Sequence, residues 1–463
     1  MTRDAATLRA ESEAAVLKLV AWAHTARNIV PEAALRRAAR VIGDDLAAII
    51  AARNEPEVAA FQANILERGH PPEATVYRGG QPRTDRLGAA VANATAGCWL
   101  ELDEGYRLTP CHAGLYILPA VMAEAEASGA SVDDVLRALV VAYEMVTRVA
   151  RSWTVREMVM HSHARYAAIG AAAGVALLRR VDQTQLLAAF TAAATLITAG
   201  PRVHAVQGAL VRNAWAGAGA ANGMMSVEWA RCGMGGVPSS FYDVYTGLLG
   251  SEAHPEVMAA GLGEEWAIFD GYTKTHACCQ HTHSAVEAVL DLRSGLQVSD
   301  WNDAVESIVV EAHPLAKPLC NYDPPTTLAA KFSLPHVVAA TLIEGDAGVP
   351  SFSVASLTAA DVSALRRKVK VVPYEPLPAA PDDRPARVTV RLKNGKEYST
   401  TCLSAVGGPD KPLADPEVME KIRRLSHDTY PRLGALIESM AALEPTRMSQ
   451  SWRGLVAELC SPA

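Results

Sequence analysis

Ser131-Val132-Asp133-Asp134-Val135-Leu136-Arg137-Ala138-Leu139-Val140-Val141-Ala142-Tyr143-Glu144-Met145-Val146-Thr147-Arg148-Val149 carries both marks of a helix in one stretch. Ser131 is followed three places on by Asp134, the form of a capping box, in which each side chain satisfies the other's backbone N–H at the helix start. Apolar side chains then recur at Val132, Val135, Leu136, Leu139, Val140, Tyr143, Val146 and Val149, a spacing that lines one face of a 3.6-residue turn. The same grammar extends outward. Asp182 reads as the cap of a helix from Gln183 to about Ile197, with Gln185 at the third helical position. The apolar run 186–200 is rich in Ala, Leu and Thr and reads as buried helix. The stretches 164–176 and 214–223 are almost wholly small residues, which lets helix backbones approach closely and predicts a tightly packed centre. No repeat of fixed period is visible.

The texture changes near Phe269. Residues 306–311 are β-branched and strand-like, and 358–368 reads as an amphipathic helix with Thr358 as its cap and Asp361 three places on. Val388, Val390 and Leu392 alternate with Thr389, Arg391 and Lys393 up to Asn394-Gly395, a strong hairpin signal. After Gly407-Gly408 helices return: Asp415-Pro416 reads as a cap followed by proline at the first helical position, and a last amphipathic helix starts near Pro431. Length alone gives a soft prior of about three domains. The texture instead predicts a mainly α protein in which a large helical domain (residues 1–268 and 406–463) is interrupted by a smaller α+β lid (residues 269–405), with any active site at their junction.

Half of the 463 residues are hydrophobic and a fifth are charged, enough for a sizeable core. A net charge of −7 argues against a nucleic-acid footprint, and a small anionic substrate would need a local basic pocket set against that global charge. Met1-Thr2-Arg3-Asp4-Ala5 leads into an amphipathic run rather than a signal core, and no stretch reaches the roughly 18 apolar residues of a membrane span. Eight cysteines without a CxxC make no disulfide framework, so the cytoplasm is the expected compartment. No lysine occurs between Lys18 and Lys274, although arginine is abundant there.

Three histidine-bearing segments could carry chemistry. They are Glu101-Leu102-Asp103-Glu104-Gly105-Tyr106-Arg107 with Cys111-His112-Ala113-Gly114, then Met160-His161-Ser162-His163, then Tyr272-Thr273-Lys274-Thr275-His276-Ala277-Cys278-Cys279-Gln280-His281-Thr282-His283. A neutral imidazole can take or give a proton near pH 7, and a carboxylate beside it fixes its tautomer. Alone, each is a weak signal, since a lone histidine at a helix start is more often a cap or a satisfied core residue. The third invites a metal, but adjacent cysteines rarely reach one ion together and no second ligand pair lies at zinc-finger spacing. Cys278 or Cys279 as a nucleophile also remains open beside the commoner role of a small buried hydrophobe.

Taken in order, the segments resemble the MmgE/PrpD family of 2-methylcitrate dehydratases, cis-aconitate decarboxylases and iminodisuccinate epimerases. His112-Ala113-Gly114 through Pro119-Ala120 resembles the family's HPS…PA stretch, and 101–105 stands where its acidic DFDDT-like motif lies. His161 precedes the small-residue helix as the family's histidine does. Lys274 to His283 resembles the KPYPCCRYTH block, Ala330-Lys331-Phe332-Ser333-Leu334-Pro335-His336 resembles AKFSLPY, and the hairpin and the Gly407-Gly408…Pro412-Leu413 region also fit. The resemblance spans about residues 10–440.

It implies an all-α large domain, an α+β lid, a homodimer, no metal and no organic cofactor, and proton movement at a carbon next to a carboxylate or carbonyl of a small acid. His112 and His161 would be base and acid, with Glu101 or Asp103 orienting one imidazole. Lys274 and Arg212 would neutralise substrate carboxylates, Lys274 as a point charge that a guanidinium cannot copy. Four positions depart from the decarboxylase pattern and would shape substrate binding: Gly105 for threonine, Arg212 for lysine, Cys279 for histidine and His336 for tyrosine. The changes at Arg212, Cys279 and His336 make dehydration or isomerisation expected ahead of cis-aconitate decarboxylation. The alternatives are a dehydratase or cyclase of secondary metabolism on a larger, less charged molecule, a non-catalytic binding protein on this scaffold, and a metal-dependent hydrolase.

Overall fold

A computed structural model describes residues 4–461, so Met1-Thr2-Arg3 of the N-terminal stretch lies outside the described residues. Among the described residues, the main helices of the first part of the chain are α1 (Ala5–Ala26), α2 (Glu32–Ala51), α3 (Pro56–Glu67), α4 (Arg86–Gly97), α5 (Ala113–Ser128), α6 (Val132–Ser152), α7 (Ser162–Leu178), α8 (Gln183–Thr195), α9 (Val203–Gln207) and α10 (Val211–Arg231). The capping box of α6 forms as read: Ser131 Oγ accepts from Asp134 N at 3.1 Å, and Asp134 Oδ2 accepts from Ser131 N at 3.3 Å. Asp182 Oδ1 caps α8 through Gln185 N at 2.8 Å. That helix stops at Thr195 rather than Ile197, and it is only half-buried, because Leu186, Ala189, Phe190 and Ala193 face inward while residues 182–184 face solvent.

Helix α7 is the axis of this body, buried along its whole length. The small residues explain how. A Cβ added at Gly219 of α10 would lie 2.3 Å from Ala167 Cβ, and one at Gly223 would lie 2.5 Å from the Ala168 carbonyl oxygen, so the two helices meet backbone to backbone. On the other side, Gly170 and Gly174 admit Tyr116, Ile117 and Val121 of α5.

The second part carries a four-stranded sheet, β1 (Val305–Ala312), β2 (Val369–Pro373), β3 (Ala386–Leu392) and β4 (Glu397–Cys402), in the order β4-β3-β1-β2. Strands β1 and β2 are parallel and the other pairs antiparallel, with Tyr398 opposite Val390 in the expected hairpin and Gly395 at φ 82° in its turn. Val388, Val390 and Leu392 point into a core shared with α11 (His283–Ser294) and α12 (Leu334–Glu344).

Two expected caps are corrected. Thr358 ends a short helix, Val354–Thr358, that Ser353 has already capped; its Oγ1 bonds back to the Val354 carbonyl at 2.9 Å, as a threonine inside a helix does. The helix after it, Ala360–Arg366, starts from Ala359. Asp415 is the first residue of its helix, not the cap, because Arg40 takes its carboxylate; Glu417 instead reaches back to the N–H of Ala414 at 2.7 Å. The helix near Pro431 runs Leu433–Ala441 and is followed by two more, Pro445–Ser449 and Trp452–Cys460. Ile422 and Ile437 of these closing helices press on Gly43 of α2, and Lys421 pairs with Asp44 at 2.6 Å, so the chain's end returns to the helical body.

Candidate active site

The loop after α4 turns back on itself at Glu101, whose φ of 55° lies in the left-handed region that a glutamate rarely occupies. That turn inserts the carboxylate between two buried cations: Oε1 is 2.6 Å from Arg212 Nη1 and Oε2 is 3.2 Å from Lys274 Nζ. Asp103 closes the network, with Oδ1 3.1 Å from Lys274 Nζ and Oδ2 2.7 Å from His112 Nδ1. Burial alone would push both carboxyls up. Arg212 and Lys274 outweigh it at Glu101, and Lys274 and His112 outweigh it at Asp103, so both stay below the usual range and ionised. Burial likewise works against the Lys274 ammonium, but Asp103 and Glu101 hold it charged.

His112, immediately before α5, points Nδ1 at two acceptors, Asp103 and the Glu104 carbonyl oxygen at 2.8 Å. Nδ1 therefore carries the proton, and the lone pair sits on Nε2. His161 caps α7, with Nδ1 3.2 Å from His163 N, and its Nε2 lies 3.3 Å from Arg212 Nε and Nη2. A neutral ring has one lone pair and accepts only one of these donors. It is neutral: burial, then Arg212, pushes its pKa well below the ordinary value, and the same holds for His163.

These side chains meet at a cavity of about 60 Å³. Glu101, His112, His161 and Arg212 come from the helical body, while Lys274, Cys279 and Phe332 come from the second part of the chain. Since one water needs roughly 10–15 Å³ on this measure, the space suits a small molecule. Gly407, at φ 104°, lets the chain pass against the segment bearing Lys274; its carbonyl accepts from Thr273 N at 2.9 Å, and a Cβ there would sit 2.1 Å from Thr273 O. Lys331 Nζ reaches the Trp99 carbonyl at 3.0 Å, and Phe332 lies under the Arg212 guanidinium at 5.2 Å. The AKFSL stretch thus fastens the second part to the loop that carries Glu101.

The N-terminal domain model of MmgE/PrpD matches residues 18–254 and the C-terminal domain model matches residues 276–444. The chain belongs to the MmgE/PrpD family. Its curated relatives include the cis-aconitate decarboxylase-like protein oryM of Aspergillus oryzae, 25% identical over 90% of this chain and 91% of that protein. The cis-aconitate decarboxylase of Aspergillus terreus is also 25% identical, over 92% of each chain. MmgE/PrpD membership and these relatives support a lyase-type enzyme.

Within this MmgE/PrpD site, the residues read from sequence divide in two. His112, His161, Lys274, Arg212, Glu101 and Cys279 line the cavity, and Asp103 stands directly behind them. His336 does not line it. Its ring is buried inside the second part, donating from Nε2 to the Ser351 carbonyl at 3.0 Å with Nδ1 3.3 Å from Arg366, because the first turn of α12 packs against Phe352. Gly105 has no side chain to offer, and its effect is spatial. It pairs with Tyr272 across a two-residue bridge, and a Cβ at Gly105 would lie 2.2 Å from Tyr272 Cζ and 2.3 Å from its hydroxyl. A tyrosine from the opposite strand fills the space that a side chain at residue 105 would need.

Burial pushes the Cys278 thiol up to about 12 and Cys279 upward as well, which disfavours either as a thiolate nucleophile. Among the described residues no three His, Cys, Asp or Glu side chains are grouped to hold a metal ion. Sequence reasoning missed Tyr272, Arg202, Arg384 and His281 as cavity residues. Tyr272 and His281 both lie inside the third histidine-bearing segment, where nothing in the sequence singles them out from its other residues. No spacing in the sequence distinguishes the two arginines from the many others.

Proposed function

We propose that the protein is a cofactor-independent lyase or isomerase that moves a proton at a carbon next to a carboxylate or carbonyl of a small acid. The observation that carries this is the Asp103–His112 pair at the cavity wall, Oδ2 to Nδ1 2.7 Å, with Lys274 bound to the same carboxylate. Asp103 fixes the tautomer of His112 and stabilises the imidazolium formed when Nε2 takes the substrate proton. Lys274 has a third N–H for the carboxylate or carbonyl whose charge grows as that proton leaves. His161, neutral and on the same wall, is the second proton-transfer group. One base and one acid serve β-elimination, proton return to the opposite face, or reprotonation after loss of carbon dioxide; the replacements at Gly105, Arg212 and Cys279 favour dehydration or isomerisation. The protein acts as a cytoplasmic homodimer in this reading, and sedimentation at micromolar concentration tests the dimer.

A second reading has its own support. A chamber of about 210 Å³, walled by Trp153, Met158, Met160, Tyr166 and Leu315, shares Pro110, Met158 and Ser162 with the cavity. An apolar tail on the acid would fit there, as a pathway-specific dehydratase or cyclase requires.

The test is proton exchange. The protein is incubated in D2O with cis-aconitate and a panel of small di- and tricarboxylic acids, and deuterium at carbon is read by mass spectrometry. Wild type should exchange at least one acid, while His112→Asn and His161→Gln should lose exchange and remain folded. Exchange at the wild-type rate in both variants would sink the assignment.

A further inference from the structure

Two further carboxyls lie next to the Asp103–His112 pair, and the proposed chemistry leaves them unused. Asp45 of α2 and Glu104 are both fully buried. Asp45 Oδ1 accepts from Glu104 N at 2.8 Å, Glu104 Oε2 accepts from Gly114 N at 3.1 Å, and Glu104 Oε1 accepts from the Tyr143 hydroxyl. Among the described residues, Asp45 Oδ2 has no hydrogen-bond donor. It converges with Glu104 Oε2 on the space left by Gly114, where an added Cβ would stand 2.3 Å from the first oxygen and 3.1 Å from the second.

The cations nearby are committed elsewhere. Lys421 pairs with Asp44 at 2.6 Å, Lys274 lies between Glu101 and Asp103, and Arg37 donates to the Gly271 carbonyl at 3.2 Å. Asp44 and Asp103 add negative charge, while Tyr143, Tyr272 and Cys111, all pushed up by burial, stay neutral. Two buried carboxyls with no cation in contact cannot both ionise. Burial, then the charge of Glu104, pushes Asp45 well above the usual carboxyl range; burial raises Glu104 to about 7, against the hydrogen bonds from Tyr143 and Gly114.

We propose that Asp45 and Glu104 share one proton across the space left by Gly114, and that this pair positions the base, holding His112 Nδ1 on Asp103. The positioning rests on reading His112 as the group that takes the substrate proton. Three contacts transmit it. Asp45 holds the peptide N–H between Asp103 and Glu104, Glu104 holds the N–H of Gly114 two residues past His112, and the Glu104 carbonyl accepts from His112 Nδ1 at 2.8 Å. With one proton the two carboxyls attract each other, and the acidic loop stays fastened to the start of α5. Without it, two negative charges face each other out of water, and the loop is driven from α5. The proton belongs to the pair, so its loss is one event felt at both residues.

The experiment reads His112 directly. In low-field proton spectra recorded in water, its hydrogen-bonded Nδ1–H is the signal missing from His112→Asn. In wild type that signal should fade as pH rises from about 6 to about 8.5 and the shared proton leaves. Asp45→Asn keeps an oxygen for Glu104 N and presents an amide N–H in place of the proton, so there the signal should persist over the whole range. Deuterium exchange into the acid should follow suit. Wild-type kcat should fall over the same range, and Asp45→Asn should keep its rate to a pH at least about one unit higher. Asp45→Ala should lose roughly 10–100-fold in kcat with KM little changed, the mark of a misplaced base. If the alanine variant does not fold, Asp45→Asn carries the comparison. A His112 signal that fades alike in wild type and Asp45→Asn overturns the proposal, and so do coincident pH–rate profiles; a carboxyl with a merely structural role would give both results. The spectra need no substrate, so the two ideas fail separately. A wild type that exchanges no acid yet shows the spectral difference refutes the chemistry and keeps the pair; exchange with matching spectra does the reverse.

Discussion

Lys274 spends two of its three N–H bonds on Glu101 and Asp103, and this sets what its replacement should do. Lys274→Ala removes the group placed to meet growing negative charge, and turnover should fall roughly 10²–10³-fold, the scale of losing one electrostatic stabiliser. It also leaves two buried carboxylates short of a counter-charge, so stability should drop by roughly 3–5 kcal/mol. Lys274→Arg should restore most of the stability and only part of the rate, because a planar fork cannot occupy the apex between two carboxylates as an ammonium does. Parallel kcat and denaturant measurements separate the two effects; a Lys274→Arg variant as active as wild type would show that a point charge is not required.

Helix α7 is buried on every side, which places a demand on its neighbours that the composition of α10 meets. Gly219→Val inserts atoms where Ala167 Cβ already stands 2.3 Å from a virtual Cβ, and overpacking of this kind should cost roughly 1–3 kcal/mol. Ala214→Val, on the exposed face of the same helix, should change stability far less. Equal melting temperatures for the two variants would contradict the close α7–α10 contact. The closing helices bear on domain division at this same scale. The family's C-terminal domain model runs to residue 444, yet Ile422, Ile437 and Lys421 pack on α2. We propose that residues 406–463 be counted with the helical body, leaving 269–405 as the lid.

Across the whole molecule, buried titratable groups tie stability to pH. Burial lowers His276 and His336 to about 4, whereas the unfolded chain takes up these protons near 6.5. Between those values the unfolded state binds more protons, so the contribution of each ring is lost as pH falls from about 6.5 to 4, about 3 kcal/mol for a full shift of this size. Glu104 acts in the opposite sense: burial raises it to about 7, and its contribution is lost as pH rises from about 4.5 to 7. The difference between variants isolates one group. His336→Gln keeps a donor for the Ser351 carbonyl and should lose less stability than wild type between pH 7 and 4.5, measured by urea unfolding at several pH values. Parallel curves for the two proteins would mean that His336 titrates alike in both states.

At that scale the sequence by itself determined the family, the helical body, the hairpin and six of the residues on the cavity wall. These are written in local signals: a capping box at Ser131, a 3.6-residue period, an Asn-Gly turn, and blocks around His112 and Lys274 that survive as contiguous strings. Tertiary structure alone decided which charges remain unspent. Glu101 and Asp103 neutralise Lys274 and Arg212 across separations of more than a hundred residues, and an ion pair leaves no trace in composition or period. It also turned His336 inward and laid Tyr272 over Gly105, because which way a side chain faces depends on what packs against it, and those partners arrive from elsewhere in the chain.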